Sequence, residues 1–408
     1  MKCRHCNSLI ENEFADLGTS PPSNSYLRED QLHKPELFYP LRVKVCKSCW
    51  LVQTEDFTNR EEFFSSDYAY FSSFSTTWLA HAKDYVDKMV NRFNLTENSF
   101  VLEVASNDGY LLQYVKDLSI PCLGVEPTKS TAEASLAKGI PTLQEFFGVK
   151  LAEKLVRDNK KADLTAANNV LAHVPDINDF ITGFSILLKD TGVSTFEFPH
   201  LLQLVNHTQF DTIYHEHYSY LSLIAVQKIF LANGLEVFDV EEISTHGGSL
   251  RVYAQKKGIG QQKLSDRVTK LIEKEKNAGV DTIFFYEGFQ SKINTVKNQM
   301  LEFLIKTSVD KEVVVGYGAA AKGNTFLNYA GIRSDLISFV VDRNPYKQNK
   351  FLPGSRIPIY DEKKIKAIKP NYVVIFPWNL KSEVSEQLAY IREWGGKFVV
   401  AIPNLEIF

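Results

Sequence analysis

The segment Phe210-Asp211-Thr212-Ile213-Tyr214-His215-Glu216-His217-Tyr218-Ser219-Tyr220 packs two imidazoles, a carboxylate and a phenol into positions 214–217. These are side chains that move protons near neutral pH: imidazole titrates close to it, and a carboxylate or phenol can orient or donate beside it. Metal binding is the competing reading. Two His and one Glu this close do not reproduce His-Glu-x-x-His, which sets two imidazoles on one helix face, so acid–base work is preferred. If the segment runs extended, alternation sends Tyr214 and Glu216 one way and His215 and His217 the other.

Four of the five cysteines fall in the first 49 residues, as Cys3-x-x-Cys6 and Cys46-x-x-Cys49. Each pair can give two thiolates to one tetrahedral ion, and together they read as a zinc-ribbon-like module with a structural zinc, because four protein ligands leave no position open for catalysis. Disulfides and a redox Cys-x-x-Cys compete. A cytoplasmic chain disfavours the first, and no βαβ pattern surrounds either pair to favour the second. Pro21-Pro22, Pro35 and Pro40 lie between the pairs, so the module has little core of its own and metal must hold it. His5 reads as solvated or as a neighbour of the ligands, and Cys122, in an apolar run, as a small core residue.

Glu103-Val104-Ala105-Ser106-Asn107-Asp108-Gly109 directly follows an apolar run, where a doubly wound fold places its ligand crevice. Glu126 ends the next strand about 20 residues on, placed to accept hydrogen bonds from both ribose hydroxyls. Together they indicate a nucleoside-type cofactor. A Gly-x-Gly-x-x-Gly is absent, and Glu103 and Asp108 would repel a pyrophosphate. S-adenosylmethionine brings a cation and no phosphate, so Glu103, Ala105, Asn107, Asp108 and Glu126 are its candidate residues. Phe146-Phe147 suits either an adenine or the core.

The elements that must position these groups alternate. Strands are expected at 100–105, 122–126, 164–168 and 193–198, with Phe180, Phe184, Leu187 and Leu188 on one helix face and Gly192 as its stop. Residues 263–306 read as helical, charged and only sparsely apolar. A second strand–helix series runs through 313–316, 337–341, 373–376 and 398–402. Gly247-Gly248-Ser249 reads as a turn into a strand at 250–254.

The chain resembles the sugar C-methyltransferases of deoxysugar biosynthesis over essentially its whole length. The resemblance is carried by the four cysteines, the Glu-x-Ala-Ser-Asn-Asp-Gly turn, Gly124-Val125-Glu126-Pro127, Asn168-Asn169-Val170-Leu171-Ala172-His173 and, most specifically, the 210–220 segment. It implies an α/β chain of three parts: a zinc-binding module at 1–70, a Rossmann-like methyltransferase domain at 71–255 and a second Rossmann-like domain at 256–408 that helps bind a sugar nucleotide. It implies a methyl group moved from S-adenosylmethionine to the carbon beside the ketone of a nucleotide-linked 4-keto sugar. Carried over residue by residue, His217 is the base, Tyr214 and Glu216 serve the substrate or orient a neighbour, and His173 and Tyr68 line the active site. Asn168 joins the cofactor set. Core packing is the alternative for His173, and aromatic interdomain packing for Tyr68. Val313-Val314-Val315-Gly316-Tyr317-Gly318-Ala319-Ala320-Ala321-Lys322-Gly323 resembles half a dinucleotide site, with Lys322 beside helix N-terminal amides suited to the substrate diphosphate. A bare strand-to-helix turn is the alternative there. A sugar O-methyltransferase, an NAD-dependent oxidoreductase using the C-terminal domain, and a zinc-anchored binding protein remain as rival functions.

Composition agrees with a folded, multi-domain enzyme. A chain of 408 residues exceeds what one core usually sustains. Forty-six basic against 49 acidic side chains give a charge of −3, so no global field favours nucleic acid or an anionic membrane. No run approaches the ~20 apolar residues of a membrane span, and a cytoplasmic location is expected.

Overall fold

The computed structural model describes residues 1–57 and 71–408, so Tyr68 and the neighbouring Phe63-Phe64 lie outside the described residues. The central sheet has seven strands. Thr142–Leu143, Cys122–Val125, Val101–Val104, Ala162–Asn168 and Leu188–Pro199 run parallel in that spatial order, and Ser249–Lys256, antiparallel, then Leu235–Ile243 extend the far edge. Val101–Val104 is buried at every position, as a strand covered on both faces must be. Its neighbours Cys122–Val125 and Ala162–Asn168 lie on opposite sides, so the chain changes direction across the sheet at its C-terminal end and opens a crevice there.

A six-stranded C-terminal sheet repeats this design around Val314–Tyr317, flanked by Val340–Val341 and Tyr372–Ile375. The third sheet is antiparallel: Asn12–Ser20, Tyr39–Val45 and Val52–Thr54 come from the N-terminus, and Ser219–Tyr220, from mid-chain, completes it. The N-terminal strands do have little core of their own. Phe14, Leu41 and Val43 share one cluster with Phe210 and Ile213 and with Phe289 and Met300.

Several local expectations change. Residues 263–306 form two helices, Asp266–Asn277 and Phe289–Val309, around a short turn at Ile283–Phe285. The longer helix buries Phe289, Ile293, Val296, Met300, Phe303 and Leu304 at three- and four-residue spacing, so positions that read as sparse form one stripe. Phe289 stacks on Phe14 at 4.4 Å. Gly192 is not a helix stop. The helix Ile177–Leu187 ends as Leu188 turns extended, and Gly192 lies inside the next strand, where a Cβ would sit 2.6 Å from the Ala162 carbonyl. Phe147 packs on Phe180 and Phe184, in the core. No helix among the described residues is long and apolar enough to cross a membrane.

Candidate active site

Residues 214–217 form a turn rather than an extended segment, closed by the His217 amide donating to the Tyr214 carbonyl at 2.9 Å. Alternation therefore does not apply. The turn lays the Tyr214 ring on the His217 ring, centroids 3.9 Å apart, and the His173 ring meets His217 edge-on at 4.6 Å. His217 Nδ1–H donates to the Thr212 carbonyl at 2.8 Å, which leaves the lone pair on Nε2. Burial, His173, His246 and Lys322 hold His217 well below the usual imidazole range against the raising effect of Thr212, and burial takes His173 down to about 4 against the Glu216 carbonyl. Both rings are neutral at neutral pH. His215 points elsewhere, to the Tyr39 and Pro40 carbonyls at 3.3 and 3.2 Å.

Glu216 is buried, and both its oxygens accept from Asn24 Nδ2, at 2.8 and 3.0 Å. Burial pushes its carboxyl from 4.5 up to about 7, with Asn24 opposing. The folded state thus keeps a proton that the unfolded chain releases, so the stability from this group is fully present below about pH 4.5 and is lost as pH rises through about 7. Glu216→Gln, uncharged and of the same shape, is expected to raise the melting temperature at pH 8, by an effect on the order of 3 kcal/mol, and to leave it unchanged at pH 4.5. Equal shifts at the two pH values would remove this account.

The four cysteines meet at one point. Their Sγ atoms all lie within 4.8 Å of one another, with Cys3–Cys49 and Cys6–Cys46 each at 3.5 Å. A tetrahedron with bonds of ~2.3 Å has edges near 3.8 Å, so the cluster fits a zinc ion. The residue after each knuckle, Asn7 or Trp50, turns left-handed (φ 60 and 67), and Gln53 Nε2 donates to Cys3 Sγ at 3.3 Å. His5 is not part of the cluster; its ring bonds Asn178.

At the crevice, Ala105, Asn107 and Gly109 adopt positive φ, folding the turn back over the strand end. Glu126 accepts from the Asn107 amide at 3.0 Å, from the Thr128 amide at 2.9 Å and from the Thr128 hydroxyl. Asp108 faces Lys138 at 3.1 Å and the Ser73 hydroxyl. Glu103 is fully buried, and neither carboxylate oxygen accepts a hydrogen bond in good geometry among the described residues, although the Tyr110 hydroxyl is close enough to lower its pKa. Burial, with Glu126, Asp108 and Glu197 beside it, pushes Glu103 well above the carboxylate range. Lys138 meets Asp108 and not Glu103, so a cationic ligand such as S-adenosylmethionine fits beside the buried Glu103. Asn168 ends its strand at the same crevice, nearly buried.

From the C-terminal domain, Lys322 reaches into the cleft rather than lying along its own turn. Its Nζ sits 3.0 Å from Asn379 Oδ1 and 4.4 Å over the Trp378 ring. Trp378 Nε1–H in turn donates to Asp211 at 2.8 Å. The turn is held by other segments: the Ala319 amide donates to Asp342, and its carbonyl accepts from Tyr26 and Lys347. Sequence reasoning missed His246, Asp211 and Trp378. His246 sits left-handed (φ 55), its Nε2 3.3 Å from Asn169 Nδ2 and its ring 5.5 Å from Trp78. Burial takes it down to about 4. The only local signal was Gly247-Gly248, whose positive φ values lay the loop under Trp378 and Gln203.

A doubly wound domain with an acidic nucleoside crevice, a four-thiolate zinc site and a second α/β domain facing neutral histidines define a zinc-containing, S-adenosylmethionine-dependent methyltransferase. Residues 3–64 match the model of a zinc binding domain, 78–240 that of a methyltransferase domain and 244–403 that of a C-methyltransferase C-terminal domain. The chain is 31% identical over 403 residues to the C-methyltransferase NovU of Streptomyces niveus, spanning 99% of this chain and 96% of that one, and belongs to the C-methyltransferase family. Among solved structures, it is similar to the magnesium protoporphyrin IX methyltransferase of Synechocystis PCC 6803 with bound SAM (15% identity, 44% of this chain and 79% of that one, TM-score 0.35). It is also similar to the PH0226 protein of Pyrococcus horikoshii OT3 (13% identity, 49% and 100%, TM-score 0.38). Both likenesses are too low to bear on function.

Proposed function

We propose that the enzyme methylates the carbon beside the ketone of a nucleotide-linked 4-keto deoxysugar, with His217 as base. The observation that carries this reading is a buried imidazole whose Nδ1–H is fixed on a carbonyl, so that a neutral Nε2 keeps its lone pair between Tyr214 and His173. S-adenosylmethionine, held by Glu103, Ala105, Asn107, Asp108, Glu126 and Asn168, supplies an electrophilic methyl group on a sulfonium. His217 takes the proton from the substrate carbon, the C–H electron pair moves onto the ketone oxygen, and Tyr214 donates a hydrogen bond to that oxygen. As the ketone re-forms, the substrate carbon would bond to the methyl while the sulfur–methyl bond breaks with its electron pair left on sulfur, so that S-adenosylhomocysteine leaves and the proton stays on His217. His173 contacts the sugar beside the base, and Glu216, its carboxyl raised to about 7 by burial, serves the substrate through the Asn24-bound end of the turn. Lys322, its ammonium drawn below its ordinary range by burial with Asp211 opposing, meets the diphosphate. Tyr68 completes the site on the strength of the family resemblance. The division into parts at 1–70, 71–255 and 256–408 follows these tasks.

The test is incubation with S-adenosylmethionine and a panel of thymidine-, guanosine- and cytidine-diphospho-4-keto sugars. Mass spectrometry should find one substrate heavier by a methylene, two-dimensional NMR should place the new methyl on carbon next to the carbonyl, and that carbon should exchange its proton with deuterated water when no cofactor is present. A methyl on a carbon remote from the ketone, with no exchange, would overturn the enolate route.

A further inference from the structure

One side chain of the zinc knuckle reaches toward the backbone around both histidines. Arg4 lies inside Cys3-x-x-Cys6, and its side chain is only 6% exposed. On the metal side, its amide donates to Gln53 Oε1 at 2.9 Å, while Gln53 Nε2 donates to Cys3 Sγ at 3.3 Å. On the far side, its guanidinium forks: Nη1–H donates to the Pro175 carbonyl at 2.9 Å and Nη2–H to the Thr54 carbonyl at 3.1 Å. Nη2 also meets Asp56 at 2.8 Å, and the cation lies 5.2 Å from the Tyr218 ring centroid.

One carbonyl belongs to backbone that carries a histidine of the site, and the other to a strand that holds the second histidine's backbone. Pro175 follows His173 by two residues. Thr54 holds the other strand, since its hydroxyl donates to the His217 carbonyl at 3.2 Å and its amide to the Tyr218 carbonyl at 3.2 Å. Tyr218 then closes the loop by donating its amide to Ala172 at 2.8 Å. We infer that Arg4 is a positioning residue for the reaction: one fork, anchored at the metal knuckle, sets the spacing of the segments bearing His173 and His217. The inference rests on the reading of His217 as base. The fork reaches the two carbonyls from two nitrogens in fixed geometry, whereas lysine, which keeps the charge, has a single nitrogen and no fixed fork. Displacements of about 1 Å at a reacting group cost on the order of 10²-fold in rate.

Arg4→Lys and Arg4→Met, prepared as full-length zinc-loaded enzyme, are therefore expected to lose about 10- to 100-fold in kcat, with S-adenosylmethionine affinity by calorimetry, zinc content by mass spectrometry and the KM for the sugar nucleotide within about twofold of wild type. Proton exchange at the substrate carbon should slow by the same factor. In Arg4→Ala, guanidinium at millimolar concentration should restore part of both rates and methylammonium should not. Wild-type kcat in Arg4→Lys, or a kcat loss that tracks lost zinc and resists guanidinium, overturns the positioning role. His217→Asn in the same assay keeps the two readings apart: turnover surviving there removes the base, whereas wild-type rates in the Arg4 variants remove only the fork.

Discussion

His217→Asn is expected to lower methyl transfer by about 10³-fold or more while leaving S-adenosylmethionine binding nearly unchanged. The asparagine amide can still donate to the Thr212 carbonyl, so the 214–217 turn keeps its shape. What it lacks is the nitrogen lone pair. The cofactor crevice is built on other elements, Val101–Val104 and Cys122–Val125 with the turns after them, and does not depend on this ring. Calorimetry with S-adenosylmethionine and turnover with the sugar nucleotide measure the two effects separately, and turnover comparable to wild type would eliminate His217 as the base. The pH profile adds a sign. His217 and His173 are already deprotonated at neutral pH because burial lowers both, so neither should produce an acid limb in kcat/KM between about pH 6 and 8.

Removing the zinc should have an effect as large, and for a reason the word "structural" conceals. The strand Val52–Thr54 starts just past Cys49 and pairs with Ser219–Tyr220, the strand that leaves the 214–217 turn: Val52 faces Tyr220 and Gln53 faces Ser219. Binding to a four-thiolate site contributes on the order of 10 kcal/mol or more to folding of the module that surrounds it. Without it, the four sulfur atoms lose the ion that joins them, and the sheet that holds the turn loses its first three strands' anchor. Chelation, or Cys49→Ala, is expected to reduce turnover to background while the seven-stranded domain still binds S-adenosylmethionine within a few-fold of its original affinity. Restored turnover on adding zinc back to the chelated enzyme would complete the result. Full activity in zinc-free protein would show that the turn stands without the module.

Both effects depend on geometry that the residue order conveys unevenly. The two Cys-x-x-Cys pairs were legible because metal ligation imposes a short, fixed spacing within each knuckle. The crevice was legible because a buried parallel strand writes a continuous apolar run, and the acids after it, Glu103 and Glu126, stand at the ends of consecutive runs. The 214–217 cluster was legible in kind, since few other settings gather such groups, but not in shape. Four polar and aromatic residues carry no periodicity, and besides the nearby Thr212 carbonyl the turn is set by partners far along the chain, Asn24, Tyr39 and Pro40. His246, Asp211 and Trp378 were invisible for the same reason, each being an ordinary residue until a distant contact gives it a setting.

By itself, then, the sequence determined the parts: a zinc ligand set, an acidic nucleoside crevice, a group of proton-moving side chains and a second α/β domain. Only the tertiary structure decided that these parts converge. A mid-chain strand completes the N-terminal sheet, Thr325 of the C-terminal domain donates to the Ile213 carbonyl at 2.8 Å, and Arg4 ties the segment after His173 to the strand at Thr54. Such contacts join residues fifty to more than a hundred and fifty positions apart, and local hydrophobic period or motif spacing holds no record of pairings between elements so widely separated.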